Sequence, residues 1–274
     1  MLWKRVVSST VLIPFFLWVV WIGGWSYKVM TIVIVTLTLV EFCNLTKANG
    51  SSIGQAATFL FSFLFCLLAY ENIIHQEHTG LFLGFFVTFV LFGAFLVQIL
   101  QDKVDSGFLS VAFLVIGAIY IGWAFGYHVI QLRELKDGQS FTYFLLIIIW
   151  IGDSAAYLGG KWLGKHKIRP NISPGKTIEG TVVGLLFSIV SGLGMWHFML
   201  PKYVSVKQAV FAALIIGITS QISDLSESII KRAANVKDSG TLIPGHGGAL
   251  DRIDSMIFAT PALYYYLRLI LSLE

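Results

Sequence analysis

The chain has 274 residues, 56% of them hydrophobic and only 12% charged, with a mean hydropathy of +0.79. Water-soluble domains carry about 25% charged residues, so this composition excludes an ordinary soluble fold and predicts a multi-span membrane protein. The formal net charge is only +4, so the placement of the charges says more than their sum.

A spanning helix needs about 20 predominantly apolar residues. By that rule nine segments are predicted to cross the bilayer, at about 4–23, 26–44, 54–75, 80–100, 108–131, 140–160, 177–199, 207–231 and 254–272. The first follows Lys4 and Arg5 but has no small-x-small cleavage site, so it is read as a retained span rather than a signal peptide. Segments this long and apolar satisfy their backbone groups as helices, and the alternation of an outer-membrane barrel is missing. The expected fold class is all-α, a polytopic integral membrane protein of about nine transmembrane helices. Cys43 and Cys66 lie inside apolar runs with no His or Asp at ligand spacing, and are read as small buried hydrophobes.

The Lys/Arg bias of short loops sets orientation. A cytoplasmic N-terminus puts thirteen cations inside and six outside. Nine of the thirteen lie in the loops after the sixth and eighth spans, which face the same side. No linker, low-complexity tract or repeat divides the chain. It is read as a single membrane domain, 1–274, with apolar scaffold spans over 1–105 and a polar cleft carried by 106–274.

In that second half the polar groups have a pattern. Ser223, Asp224, Glu227, Ser228 and Lys231 recur at spacings of three and four, which makes one polar stripe on an apolar helix. Carboxylates at membrane depth are costly without a counter-cation or water. Glu227 with Lys231 also reads as an ion pair that staples helices, and both readings stay open. Asp251 and Asp254 share a face at the start of the last span, where the helix dipole favours acids. They follow His246, Gly247 and Gly248; paired glycines let backbone N–H groups approach an anion at a helix start. Carboxylates beside a phosphate suit Mg²⁺. Asp153 and Tyr157 lie one turn apart on the sixth span, and Ser173, Lys176 and Thr177 open the seventh. The Gly-Lys-Thr ending lacks the first glycine of a P-loop and follows no strand, so that match is rejected.

These residues resemble a family. Ser228-Ile-Ile-Lys-Arg232, Lys237-Asp238-Ser239-Gly240, Pro244-Gly-His-Gly-Gly248 and Asp251-Arg-Ile-Asp254 look like the signature of the phosphatidate cytidylyltransferases, the CDP-diacylglycerol synthases, through about 27 consecutive residues. Asp153–Tyr157 and Ser173–Thr177 are similar to further stretches of that family; Ala249 stands where a larger aliphatic is expected. The resemblance implies transfer of CMP from CTP to phosphatidic acid, with Mg²⁺ and room for a second cation in the same acidic cluster. It implies a cell-membrane enzyme whose site faces the cytoplasm.

Within that reading Asp224 and Asp251 are the expected main metal ligands, with Asp254 and Glu227 as further ligands or their supports. Lys231, Arg232, Lys237, Arg252 and Lys176, with the Ser173 and Thr177 hydroxyls, are expected to grip phosphates. Asp238, Gly247, Gly248, Asp153 and Tyr157 complete the binding set. His246 is either a packed loop histidine or a contact to phosphate or metal-bound water. The expected partners are CTP, phosphatidic acid and the bilayer, with no nucleic acid. Faces of Gly, Ala and Ser admit a homodimer as well as packing within the chain. A CTP-dependent lipid or polyprenol kinase is the alternative, and an ion-coupled transporter a more remote one.

Overall fold

The computed structural model describes residues 2–46, 52–70, 79–101, 107–200, 204–242 and 247–272. The helices are α1 (Leu2–Ile22), α2 (Gly24–Leu45), α3 (Ser52–Tyr70), α4 (Thr79–Gln101), α5 (Gly107–Gly117), α6 (His128–Glu134), α7 (Gly138–Leu163), α8 (Ile178–Met199), α9 (Val206–Ala233), α10 (Leu250–Ile253) and α11 (Met256–Tyr265). A π-helical segment, Ala118–Tyr127, joins α5 to α6 as one continuous span, and a shorter one, Tyr266–Ile270, extends α11.

The fold is all-helical in its spans, as composition predicts. Among the described residues seven helices are long and apolar enough to cross a membrane, and Leu12–Ile22 is a shorter apolar helix. The count of nine is not confirmed. The last segment lies where the ninth span was expected, but it is divided into α10, α11 and the closing π-helical segment, with Pro261 inside α11.

One structure was not expected. Ser173–Thr177 is a strand, β2, paired antiparallel with β1 (Lys167–Arg169) in a hairpin between α7 and α8. Its last residue, Thr177, caps α8 by accepting the Gly180 N–H at 3.1 Å. Glu179 in the first turn of α8 accepts the Lys165 N–H at 3.0 Å and His166 Nδ1 at 2.6 Å, which ties the hairpin's entry to its exit.

Small residues bring α7 and α8 to backbone contact. Gly152, Ala156 and Gly160 on α7 face Gly180, Gly184 and Ser188 on α8. A methyl group at Gly180 would sit 2.6 Å from the Ala156 carbonyl, and one at Gly152 would sit 2.6 Å from Ser188 Oγ. Small residues four apart suit a setting where lipid is as apolar as the side chains and close approach supplies the attraction. Gly152 and its neighbours therefore serve packing within the chain. The α7–α8 pair packs on α9, and α9 on α11. Phe141, Phe144, Leu145 and Ile148 fill one core there. A second core, around Phe42, Phe65 and Phe125, joins α2 and α3 to the π-helical segment of the fifth span. Within this second core α2 meets α10, which matters for the site.

Candidate active site

The stripe expected on α9 forms, and other elements converge on it. Lys231 Nζ pairs with Glu227 one turn earlier and reaches Asp251 Oδ1 of α10 at 2.7 Å. Lys176 Nζ, carried by β2, pairs with Asp224 Oδ2 at 2.6 Å. The hairpin thus supplies Asp224 with the basic partner its own helix lacks. Ser255 Oγ donates to Asp153 Oδ2 of α7 at 2.9 Å, and the Ser255 N–H to Asp254 Oδ1 at 2.6 Å. Ser223 Oγ donates to the Asp254 carbonyl and accepts the Phe258 N–H at 3.2 Å, locking α9 to the start of α11.

Oxygens of Asp224, Glu227 and Asp254 lie within 4.8 Å of one another. Glu227 is fully buried, and neither of its oxygens accepts a well-aligned hydrogen bond, the contact with Lys231 being an ion pair only. With Asp153 and Asp251 nearby, the described residues set five carboxylates against two ammonium groups. Like charges this close and this buried demand further positive charge. An oxygen-only donor set of this kind fits a hard divalent cation.

Asp251 does not join that cluster. Its Oδ2 accepts the Ser239 N–H and Ser239 Oγ at 2.9 Å each and the Gly248 N–H at 2.8 Å, while Oδ1 faces Lys231. Burial opposes its charge, but the Lys231 ammonium and these N–H groups outweigh that and hold its carboxyl below the usual range. Asp251, expected beside Asp224 as a main ligand, is here bonded to the turn that precedes it.

The second carboxylate in that turn comes from α2. Glu41, buried in the second span, accepts the Ala249 N–H at 2.8 Å on Oε1. Its Oε2 accepts the Leu250 N–H at 3.0 Å and Ser239 Oγ at 2.8 Å. These are the backbone groups that the paired glycines were expected to offer to a phosphate; here they hold Glu41 and Asp251. Gly248 fits because any Cβ there would run into Glu41 and Ser239. Gly247 has φ +83, which favours glycine. Sequence reasoning missed Glu41. The available signal was a lone acid, with no basic residue within a turn, near the C-terminal end of an apolar span.

The other expected residues are dispersed. Arg232 Nε donates to the Ile172 carbonyl at 3.2 Å and Nη1 to the Val236 carbonyl at 2.8 Å, so it clamps the hairpin loop to the end of α9. Lys237, Asp238 and Arg252 are exposed, and Ser173 is half-buried beside Lys176. Thr177 is spent on its cap. Tyr157 is 70% exposed. His246 lies outside the described residues.

The helices and this acid-rich, lysine-flanked cluster define a polytopic membrane protein with a set of oxygen donors that could hold a divalent cation. The sequence model of the cytidylyltransferase family matches residues 3–270. The phosphatidate cytidylyltransferase of Bacillus subtilis (strain 168) is 30% identical over 269 residues, 97% of each chain. That of a Synechocystis species is 33% identical over 299 residues, covering 98% of this chain and 97% of its own. That of Staphylococcus haemolyticus is 29% identical over 94% of this chain. The chain belongs to the cytidylyltransferase family.

Proposed function

We propose that this protein is a phosphatidate cytidylyltransferase: it transfers the cytidylyl group of CTP to phosphatidic acid, giving CDP-diacylglycerol and pyrophosphate. The observation that carries the reading is the cluster of Asp224, Glu227 and Asp254 flanked by Lys176 and Lys231, in a membrane protein of the cytidylyltransferase family. A phosphate oxygen of the lipid forms a bond to the α-phosphorus of CTP, and the bond to the β-phosphate oxygen breaks. The nucleophile arrives already ionised, so no activating base is needed. The burden on the protein is to align two polyanions and to neutralise the leaving pyrophosphate.

Asp224, Glu227 and Asp254 hold Mg²⁺ in this reading. When bound, the ion supplies positive charge to the reacting phosphates. Lys176 is poised to exchange Asp224 for a phosphate oxygen. Lys231, pinned between Glu227 and Asp251, holds the α9–α10 junction closed. Lys237 and Arg252, exposed beside the turn, guide CTP in from water. The basic loops favour the cytoplasmic side of a cell membrane for this face, the side on which CTP is available.

The test is purified protein in nanodiscs with Mg²⁺, labelled CTP and phosphatidic acid. Pyrophosphate release with formation of a lipid-linked CMP is expected. Release of CDP with a phosphorylated lipid would instead make the protein a lipid kinase. No nucleotide turnover from folded protein across a range of lipids would sink the reading.

A further inference from the structure

A groove of about 410 Å³ runs between the fifth span and α11. Ile119, Tyr120 and Trp123 of the π-helical segment form one wall, and Phe258, Pro261 and Tyr265 the other. Only apolar surface is accessible in the space; the Tyr120 hydroxyl, Trp123 Nε1 and His128 Nε2 are buried. Ile119, Trp123, Pro261 and Tyr265 are half-buried, so the groove is open along one side.

One end of this groove abuts the acids. The Tyr120 and Phe258 rings meet edge to face with centroids 5.5 Å apart. The Phe258 N–H is held by Ser223 Oγ, and Ser223 both precedes Asp224 and bonds the Asp254 carbonyl. A molecule filling the groove therefore has its head beside two of the three clustered carboxylates.

We propose that the groove seats one acyl chain of the phosphatidic acid substrate; this rests on the function proposed above. A substrate whose phosphate must sit among Asp224, Asp254 and Lys176 carries hydrocarbon that has to leave in an apolar direction, and the groove is that direction. The bilayer is as apolar as the groove wall, so burial there gives no hydrophobic gain. The groove acts by shape, fixing the tilt of the chain and with it the position of the phosphate. From Phe258 to Tyr265 the α11 wall extends roughly 10 Å at 1.5 Å per residue. The groove thus grips the part of the chain nearest the glycerol and ignores its far end.

Wild-type protein in nanodiscs is irradiated with phosphatidic acid bearing a diazirine in the upper half of one acyl chain, and labelled peptides are mapped by mass spectrometry. Label is expected within 115–128 and 256–265, displaced by excess phosphatidic acid and not by phosphatidylcholine. Label displaced equally by both lipids, or found elsewhere, overturns the proposal. Ile119→Trp, which obstructs the groove, is expected to lower turnover of phosphatidic acid at least tenfold with KM for CTP and melting temperature unchanged, since misplacement of about 1 Å costs up to about a hundredfold. A folded Ile119→Trp protein with wild-type turnover overturns the groove and leaves the reaction standing. Specific labelling without nucleotide turnover by the wild type overturns the reaction and leaves the groove standing.

Discussion

Glu41 carries the most exacting prediction, because a residue of the second span is asked to hold a turn more than two hundred residues away. Its two oxygens receive three donors: the Ala249 and Leu250 N–H groups and Ser239 Oγ. Hydrogen bonds to a charged group contribute about 1.5–3 kcal/mol each, and a buried donor left without a partner costs about 1–3 kcal/mol. Glu41→Ala strands two backbone N–H groups and is expected to destabilise the junction of Ser239 with Ala249 and Leu250 by about 3–6 kcal/mol. Glu41→Gln keeps the volume and one oxygen, and its amide can donate to Ser239 Oγ. It has nothing to offer one of the two N–H groups, so its cost is about 1–3 kcal/mol. Ser239 is shared with Asp251, and Asp251 with Lys231, so loosening the turn loosens the grip on Lys231. Turnover should fall about a hundredfold or more in Glu41→Ala and about tenfold in Glu41→Gln, at roughly 1.4 kcal/mol per tenfold. Pyrophosphate release at saturating CTP and lipid reads the rate, and hydrogen exchange reads the Ala249 and Leu250 amides. Wild-type turnover with unchanged protection of those amides in Glu41→Ala would refute the reasoning.

Asp224→Asn and Asp254→Asn should each lower turnover by orders of magnitude and raise the Mg²⁺ concentration needed for half-maximal rate; a variant with normal activity at low Mg²⁺ removes that residue from the ligand set. Lys231→Met leaves Glu227 and Asp251 without their shared cation, and breaking a buried pair on one side costs about 3–5 kcal/mol. Its melting temperature should drop, and Glu227→Gln in the same chain should restore part of the loss. Asp251, held below the usual carboxylate range by Lys231 and the turn N–H groups, stabilises the fold above the ordinary carboxylate pKa of about 4. That contribution is lost as pH falls through its lowered value. Melting curves from pH 6 down to pH 3 should therefore fall more steeply for the wild type than for Asp251→Asn, and parallel curves would count against the assignment.

The spans were legible because hydropathy and length act residue by residue, whereas the convergence of side chains was not. The stripe Ser223–Lys231 follows from helical period alone, and α9 forms it. What the period cannot supply is the partner from another element. Asp224 looked unpaired because Lys176 lies 48 positions away and arrives only through a hairpin that five residues without apolar alternation gave no reason to expect. Arg232 looked like a phosphate ligand because any exposed arginine does, and its use as a clamp on Ile172 depends on where that hairpin folds back. Glu41 was invisible for the opposite reason. One acid in a long apolar helix is the weakest of local signals, and its meaning lies entirely in the amides that α10 brings to it.

The occupation of those amides decides how the site must handle phosphate. Helix starts and glycine turns commonly present N–H groups to an anion, but the Gly248, Ala249 and Leu250 N–H groups are taken by Asp251 and Glu41. The positive groups left for the substrate are side-chain cations and the Mg²⁺ proposed for the acid cluster. Lys176 stands on β2, Lys231 on α9 and Arg252 on α10, so a triphosphate that touches all three would draw together the hairpin, α9 and the final segment. Each of these elements already leans on a neighbour through a carboxylate: Lys176 on Asp224, and Lys231 on Glu227 and Asp251. On the proposed function, substrate binding would exchange protein carboxylates for phosphates around fixed cations. The ion pairs of Lys176 and Lys231 offset the repulsion among the acids before that exchange, and cations already in position make it cost little reorganisation.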